Sequence, residues 1–263
     1  MKKTTETVLV LGAGNIGSAM ARGIAAGGTP VVLYNRSRGR LAAFAGVDGI
    51  DTTDSLDTAL GCNPAMVLLC VETEAVAELL GAIAPAVKKS NPIIGSCAAV
   101  PTLADMRAAL KGVKNPRLVR ILPNIAATRG ASVNLVAADG LTAADMETVM
   151  RLVSHTGSGF EVPERLFGPA MSLSSCGIAF ALRYVRAQTE AAVALGLAPA
   201  LATEIIGATL AGTAAMLADG THPEALVDRV TTPGGLTIRG LNAMENAGFT
   251  PAVMAGIEAS THR

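Results

Sequence analysis

The sequence predicts an α/β amino-terminal domain built around a parallel sheet, followed by an all-helical carboxyl-terminal domain. Through residue 158, short apolar runs alternate with helical stretches, a pattern typical of a parallel sheet covered by helices on both faces. Gly157 and Gly159 close that alternation, and beyond Pro163 the chain contains no strand-like run. We therefore predict a first domain over residues 1–158 and a second domain over residues 159–263.

Each predicted strand of the first domain is a short apolar run. The runs are Val8–Leu11, Val31–Tyr34, 65–71, 92–96 and 118–122. Helical stretches lie between them, at residues 18–26, 74–88 and 102–110. Because a helix can carry the chain back across the sheet, this alternation allows successive strands to be added in parallel.

The second domain is predicted from two long, alanine-rich stretches, residues 164–195 and 200–218, which are interrupted only near Gly196 and Gly220. Both stretches have apolar residues on too many faces for an isolated surface helix. Half of the whole chain is hydrophobic and only 16% is charged. We therefore expect these helices to pack against a second subunit as well as within their own domain.

Composition and charge argue against several classes of protein. The 21 basic and 21 acidic residues cancel, and no basic block is present, so nucleic acid is not an expected partner. The apolar run before the first glycine, Val8–Leu11, is too short for a secretory segment, and no run reaches the length of a bilayer-spanning helix. The sequence therefore predicts a cytoplasmic protein with no membrane partner.

The cysteines and histidines predict no metal site. The four cysteines have no paired short spacing and lie far from the histidines; they are Cys62, Cys70, Cys97 and Cys176. We expect them to be buried, reduced thiols. His155 lies in a polar turn and His222 precedes a proline at a helix start, so surface or capping roles are expected for both.

A glycine-rich segment, GAGNIG, lies between the first predicted strand and the first predicted helix. In this context Gly12 allows the tight turn, Gly14 lets the backbone approach a diphosphate, and Gly17 allows close helix packing. The residues predicted to bind the nucleotide are Gly12, Gly14, Asn15, Ile16 and Gly17. The pattern predicts a Rossmann-type dinucleotide-binding domain, in which the anion lies at the helix N-terminus.

The residues after the second strand indicate which nucleotide binds. An acidic residue at this point would hold the ribose 2′-hydroxyl of NAD, whereas this chain has Asn35, Arg36, Ser37 and Arg38. Arginine and serine offer charge and hydrogen bonds to a 2′-phosphate. NADPH is therefore the predicted cofactor, with NADH as a weaker one, and Asn35, Arg36 and Ser37 are predicted to contact it. The alternative is a solvated basic loop without a ligand.

A second candidate site lies near the C-terminus, in residues 228–238. Thr232 is a predicted N-cap, Pro233 the first helical residue, and Gly234 and Gly235 leave the backbone accessible. A helix start with free N–H groups can bind a small carboxylate. An ordinary helix cap without a ligand is the alternative.

Four segments of the chain resemble the pyrroline-5-carboxylate reductase family. They are DRVTTPGGLTIRGL from Asp228, RILPN from Arg120, MSLSSCGIAF from Met171 and AGF from Ala247. The length of the chain and the order of these motifs also match, so the resemblance covers nearly the whole chain. It implies a Rossmann domain joined to an all-α dimerisation domain, and a homodimer. It leaves open whether dimers assemble further into a decamer.

The resemblance implies reduction of 1-pyrroline-5-carboxylate to L-proline by NADPH, the last step of proline biosynthesis. The substrate carboxylate would lie on Thr232, Gly234, Gly235 and Leu236, and Thr237 would act as the catalytic residue that hydrogen-bonds the ring nitrogen. Val71 and Asn124 would contact the cofactor.

The chain departs from the family pattern at three places, one of which is a proline missing two residues after Asn124. Ile178 and Phe180 stand where many members have proline and tyrosine, so no hydroxyl role is assigned there. Glu72 and Thr73 replace a lysine and a proline, so no lysine contact to the cofactor is assigned either.

Three other functions are alternatives to this one. A hydroxyacid dehydrogenase would carry a catalytic lysine early in the helical domain, and no lysine follows Lys114. A reductase of another cyclic imino acid and a catalytically silent NADPH-binding protein both stay open.

Overall fold

The computed structural model describes residues 7–261. The chain forms two compact units, one ending at Ser175 and the other beginning at Cys176. The expected fold class is confirmed: the first unit contains the sheet, and the described part of the second unit contains helices and no strand. The predicted boundary between residues 158 and 159 lies before this division, and its position stays a prediction.

The first unit contains an eight-stranded sheet whose order along the sheet is β3-β2-β1-β4-β5-β6-β7-β8. The strands are β1 (Val8–Leu11), β2 (Val31–Tyr34), β3 (Ile50–Thr53), β4 (Met66–Leu69), β5 (Ile93–Ser96), β6 (Arg117–Leu122), β7 (Ser132–Asp139) and β8 (Gly157–Glu161). The first six are parallel, β7 is antiparallel to β6, and β8 is parallel to β7. The strand order reverses between β1 and β4, and ligands of such sheets bind beyond the carboxyl ends of the strands at this reversal.

Six of the described helices of the first unit lie between strands, and a seventh follows β8. They are α1 (Asn15–Ala26), α2 (Arg38–Leu41), α3 (Leu56–Leu60), α4 (Thr73–Ser90), α5 (Leu103–Ala109), α6 (Ala143–Ser154) and α7 (Phe167–Met171). Short 3-10 segments lie at Ala42–Phe44, Ile125–Arg129 and Glu164–Leu166, and a π-helical turn at Ser172–Cys176.

Two hydrophobic cores cover the two faces of the sheet. Val8 and Val10 of β1 contribute to one core, which contains the apolar sides of α1 and α6. Leu9 and Leu11 contribute to the other, which contains those of α4 and α5. Since successive side chains of a strand point to opposite faces, a strand buried on both faces has a continuous apolar sequence. This explains why β1 could be recognised in the sequence.

The second unit consists of α8 (Gly177–Ala194), α9 (Pro199–Leu217), α10 (Pro223–Val230), α11 (Leu236–Asn246) and α12 (Phe249–Ala259). Few of its described residues are buried within the chain, and large apolar side chains such as Leu182 and Leu195 are 62% and 84% exposed. So much apolar surface is characteristic of an interface with another subunit.

The expectation that no run reaches the length of a bilayer-spanning helix is wrong. The helical segment Glu164–Ala194 and α9 are both long enough and apolar enough to cross a membrane by length and composition alone. Only 11% of each apolar window is buried in the chain, so burial within a monomer does not explain their composition. Their apolar surface therefore needs a cover other than the rest of the same chain.

The histidine expectations agree with the structure. His222 is the N-cap of α10, where its Nδ1 accepts a hydrogen bond from the backbone N–H of Glu224 at 3.3 Å. His155 is the C-cap of α6. Both residues therefore occupy helix ends, as predicted.

Thr102 is the N-cap of α5 and forms a reciprocal capping box with Asp105. The Thr102 hydroxyl accepts from the Asp105 N–H at 3.1 Å, and the Asp105 carboxylate accepts from the Thr102 N–H at 2.9 Å. We expect Thr102→Ala to lower the free energy of unfolding by about 1 kcal/mol, because a helix donor loses its partner. Urea unfolding of the two proteins at pH 7 measures this difference.

The capping box also predicts a pH dependence. The side-chain hydrogen bond from Thr102 lowers the pKa of the Asp105 carboxyl. A carboxyl with a lowered folded-state pKa stabilises the fold above its unfolded pKa, and that contribution is lost as the pH falls through the folded value. The stability difference between wild type and Thr102→Ala should therefore narrow at acidic pH, while Thr102→Ser behaves as wild type. A difference that is constant with pH would contradict this account.

Candidate active site

The glycine turn after β1 packs too tightly for side chains at two of its glycines. Gly12 has a φ of +111°, and a Cβ there would lie 2.4 Å from the backbone oxygen of Cys70. A Cβ on Gly17 would lie 1.9 Å from the backbone oxygen of Gly12. These contacts bring α1 and the end of β4 against the turn, in the way that the sequence pattern predicted.

The N-terminus of α1 is suited to bind an anion. Its N-cap, Gly14, has no side chain to cap the helix, so the N–H groups of Asn15, Ile16 and Gly17 have no partner of that kind. Gly14 and Asn15 line a cavity of about 530 Å³. Backbone donors and the helix dipole together favour a phosphate group at this position.

Asn35 connects the glycine turn to the loop after β2. Its Oδ1 accepts from the N–H of Ala13 at 3.0 Å, and its Nδ2 donates to the backbone oxygen and hydroxyl of Ser37 at 2.9 and 3.1 Å. Both ends of the carboxamide are therefore used within the protein. This arrangement holds Ser37 and the glycine turn in fixed positions relative to each other.

Two arginines after β2, Arg36 and Arg38, differ in their environments. Arg38 donates through Nε and Nη2 to the two carboxylate oxygens of Asp54. This hydrogen bonding lowers the pKa of Asp54, so the pair is charged at neutral pH. Arg36 is exposed and has no hydrogen bond or ion pair with the residues that the structure describes. Of the residues first considered for a 2′-phosphate, Arg36 and Ser37 are therefore better placed than Arg38.

Val71 and Asn124 lie beyond the carboxyl ends of β4 and β6. A Cβ on Gly12 would lie 3.0 Å from Cγ1 of Val71. Gly12 and Val71 are therefore neighbours at the reversal point of the sheet. Asn124 is buried; its Nδ2 donates to the backbone oxygen of Ser174 at 2.8 Å and its Oδ1 accepts from Ala126 N–H at 3.0 Å. Asn124 thus fixes the turn after β6.

A buried arginine supports this edge of the sheet, and sequence reasoning gave it no individual role. The Arg120 side chain is 4% exposed. It donates to the Glu164 carboxylate at 2.8 Å and to the backbone oxygen of Ala99 at 2.6 Å, and its guanidinium lies 4.8 Å from the Phe167 ring centre. It therefore ties the loop after β5 to the segment after β8. The sequence signal was an arginine within an otherwise apolar strand.

The thiols of Cys70 and Cys97 lie at the ends of the adjacent strands β4 and β5. A hydrogen bond with Cys97, together with burial, raises the pKa of Cys70 well above its usual value. A thiol that stays protonated is a poor nucleophile. The four cysteines are free, but all four are only partly buried, so the prediction of buried thiols is wrong.

In the second unit, the predicted helix start at Thr232 and Pro233 is wrong. Helix α11 begins at Leu236, and its N-cap is Gly235. Residues 232–235 instead form a turn, closed by a hydrogen bond from the Gly235 N–H to the Thr232 oxygen at 2.9 Å. Gly234, with a φ of +71°, follows Pro233, and this order is typical of a type II turn.

The corrected geometry still brings the predicted substrate residues together. Among the described residues 7–261, no side chain caps α11, so its first amides, at Leu236 and Thr237, have no partner of that kind. A Cβ on Gly235 would lie 2.4 Å from the Thr232 hydroxyl oxygen, which places that hydroxyl beside the helix start. Leu236 is 85% exposed. The turn and the helix start thus form an exposed cluster of donors suited to a carboxylate.

Two family models match the chain. Residues 164–263 match the pyrroline-5-carboxylate reductase dimerisation family, and residues 7–99 match the family described as NADP oxidoreductase, coenzyme F420-dependent. Pyrroline-5-carboxylate reductase 3 of Mus musculus is 34% identical over 262 residues, covering 96% of this chain and 93% of the relative. The chain belongs to the pyrroline-5-carboxylate reductase family.

Other members of the pyrroline-5-carboxylate reductase family differ in length. Two relatives from Dictyostelium discoideum, pyrroline-5-carboxylate reductases 1 and 2, are each 31% identical over 280 residues. This chain spans 93% of the second but only half the length of the first.

Solved structures of pyrroline-5-carboxylate reductases share the fold. The structure from Coxiella burnetii has a TM-score of 0.90 at 22% identity, covering 98% of this chain and 97% of the other. The structure from Plasmodium falciparum, described with NADP bound, has a TM-score of 0.82 at 21% identity, covering 97% and 95%.

Membership of the pyrroline-5-carboxylate reductase family explains the apolar helices. The dimerisation family covers α8 and α9, whose apolar side chains are left exposed within one chain. Self-association gives these helices a protein partner and accounts for a composition that resembles a membrane span.

Proposed function

We propose that this protein reduces 1-pyrroline-5-carboxylate to L-proline with NADPH, the last step of proline biosynthesis. The observation that carries the proposal is 34% identity to a pyrroline-5-carboxylate reductase over 96% of the chain, which includes both candidate sites. The geometry is compatible with it, because each unit presents a helix N-terminus without a side-chain cap. One suits the phosphates of the cofactor and the other suits the carboxylate of the substrate.

The cofactor site is proposed at the carboxyl end of β1. The N–H groups of Asn15, Ile16 and Gly17 bind the diphosphate, and Gly12 and Gly14 allow it to approach the backbone. Arg36 and Ser37 bind the 2′-phosphate, while Asn35 positions Ser37. Val71 and Asn124 complete the site toward the nicotinamide. NADPH, when bound, supplies the hydride that reduces the C=N bond, and NADH binds more weakly.

The substrate site is proposed at the start of α11. The Thr232 hydroxyl and the amides of Gly235 and Leu236 bind the carboxylate, and Gly234 provides the turn that exposes them. The Thr237 hydroxyl hydrogen-bonds the ring nitrogen and relays to it a proton taken from solvent water, so that the hydroxyl is itself reprotonated. A protonated imine is already electrophilic. Most of the rate acceleration is therefore expected from positioning of the substrate and from electrostatic complementarity.

Family membership indicates self-association, and we propose in addition the size of the assembly and its location in the cell. The protein is a cytoplasmic homodimer that binds neither membrane nor nucleic acid, and its dimers assemble into a decamer. Light scattering of detergent-free protein across a range of concentrations measures the molar mass and so tests the proposed assembly. A monomer at micromolar concentration, or protein that is soluble only in detergent, would contradict it.

Arg36→Ala tests the choice of nucleotide. We expect the dissociation constant for NADPH to rise about tenfold or more, because a charge-assisted hydrogen bond to phosphate contributes about 1.5 to 3 kcal/mol. The dissociation constant for NADH should change little, since NADH lacks the 2′-phosphate. Equilibrium titration of both nucleotides measures the two values, and Arg36→Lys serves as the charge-preserving control. An equal loss for both nucleotides would contradict the assignment.

The activity itself is tested with purified protein, NADPH and either pyrroline-5-carboxylate or piperideine-2-carboxylate. Faster NADPH oxidation with pyrroline-5-carboxylate and rescue of a proline auxotroph are the expected results. Faster oxidation with piperideine-2-carboxylate would identify a reductase of another cyclic imino acid. NADPH binding with no oxidation on either substrate would identify a catalytically silent protein.

A further inference from the structure

We infer that Arg40 is the cation that binds the diphosphate of the dinucleotide, beside the N-terminus of α1. This inference rests on the proposed use of NADPH and adds a residue that neither the glycine pattern nor the loop after β2 pointed to. Arg40 lies in α2 and is exposed. It lies two residues after Arg38, and only the folded chain shows that its guanidinium is next to the glycine turn.

The position of the guanidinium is the first argument. A Cβ placed on Gly14 would lie 3.6 Å from Nη1 of Arg40. Gly14 is the glycine at which the backbone of a dinucleotide-binding turn approaches the diphosphate. The Arg40 guanidinium therefore lies next to the α1 amides, within reach of an anion bound to them.

The second argument is that Arg40 is available to bind a ligand. Arg22 lines the same cavity, but it donates to the backbone oxygen of Ala43 at 2.8 Å and lies 4.4 Å from the ring centre of Phe44. Arg38 is paired with Asp54. In contrast, Arg40 has no hydrogen bond or ion pair with any residue in the described range 7–261. A guanidinium can donate two parallel hydrogen bonds to a phosphate.

The third argument is charge. Glu72 lines the same cavity of about 530 Å³, together with Gly14 and Arg40. A carboxylate near a diphosphate raises the free energy of binding through like-charge repulsion. A cation that lines the same cavity offsets this repulsion, and Arg40 provides one.

The location favours the diphosphate over the 2′-phosphate. Arg36 and Ser37 directly follow β2, where the adenosine ribose of such domains lies. Arg40 instead meets the glycine turn at the end of β1. Both NADPH and NADH contain the diphosphate, so an arginine that binds it must affect the two nucleotides equally.

The experiment measures the dissociation constants of NADPH and NADH for Arg40→Ala, without substrate. We expect both to rise about tenfold or more and by the same factor, with a smaller rise for Arg40→Lys. Arg107→Ala removes the same charge from the first unit at a residue that is paired with Asp139, and should leave both values unchanged. Arg36→Ala provides the contrasting, NADPH-selective pattern.

Glu72→Gln provides an independent measurement with the opposite sign. Removing the carboxylate charge should lower both dissociation constants by a similar factor, about twofold to fivefold for an exposed charge. A rise in either constant would overturn the electrostatic account of the cavity.

The outcomes separate this inference from the proposed activity. A loss confined to NADPH, or no loss for Arg40→Ala, would overturn the assignment of Arg40 to the diphosphate. Because binding is measured without substrate, protein that binds NADPH but fails to reduce pyrroline-5-carboxylate still tests Arg40 fully. Wild-type protein that binds neither nucleotide would overturn both the inference and the proposed cofactor.

Discussion

Gly17→Ala is expected to abolish nucleotide binding and to lower the free energy of unfolding by about 3 kcal/mol. The added Cβ would lie 1.9 Å from the Gly12 oxygen and 2.9 Å from the Cβ of Cys70. The Gly12 oxygen is a backbone atom, and the Cβ of Cys70 is fixed to the backbone at the end of β4. A side-chain rotation therefore cannot relieve either contact. Helix α1 would have to move away from the turn, and its N-terminal amides would leave the proposed phosphate position.

Urea unfolding and NADPH titration of Gly17→Ala measure these two effects. Gly81→Ala is the matched control, because Gly81 lies within α4 and an added Cβ there meets no atom within 4 Å. Alanine is favoured over glycine inside a helix, so Gly81→Ala should stabilise the protein by about 0.5 to 1 kcal/mol. Wild-type stability together with wild-type NADPH affinity in Gly17→Ala would contradict the proposed packing of the turn.

The central strands could be predicted from the sequence, and the edge strands could not. Strands β1 and β4 are buried on both faces, so their residues form continuous apolar runs. Strands β3 and β8 lie at the two edges of the sheet and expose much of their sequence, IDTT and GSGFE. An edge strand is defined by its pairing with a distant neighbour more than by its own composition.

Strand β7 was missed for a different reason. It is largely buried but contains polar residues, including Ser132 and Asn134. The Asn134 side chain donates to the backbone oxygen of Val153 at 3.3 Å, and the Ser132 hydroxyl accepts from the Asn124 N–H at 3.0 Å. Buried polar groups are tolerated when they are hydrogen-bonded, but the sequence does not identify such long-range partners.

The candidate site shows the same limit. Local rules identified the glycine turn, yet they could not tell which of the nearby arginines is free. The partner of Arg38 is Asp54, which follows β3 and is distant from Arg38 in the sequence. The segment Thr-Pro-Gly-Gly satisfies the rules for a helix start and those for a type II turn equally well. The turn is distinguished by the backbone angle of Gly234 and by the hydrogen bond that closes residues 232–235.

Thr237→Ala is expected to lower the turnover of pyrroline-5-carboxylate about 100-fold while leaving the dissociation constant for NADPH unchanged. The proposed role of the hydroxyl is to hold the ring nitrogen and supply its proton, and loss of one such positioned group costs roughly this factor. Thr237 lies in the exposed first turn of α11, and its side chain has no hydrogen bond to the residues the structure describes. The fold therefore does not depend on the hydroxyl, and the free energy of unfolding should stay within about 0.5 kcal/mol of wild type.

Two further substitutions separate the hydroxyl from the rest of the side chain. Thr237→Ser keeps the hydroxyl and should retain most of the turnover, whereas Thr237→Val keeps the shape, lacks the hydroxyl and should match Thr237→Ala. Because the carboxylate is proposed to bind Thr232 and the amides of Gly235 and Leu236, the KM for the substrate should change less than kcat. Normal turnover in Thr237→Val would remove Thr237 from the mechanism. A loss confined to KM would instead make it part of the carboxylate site, so the ratio of the two effects decides whether this hydroxyl acts on the reacting nitrogen.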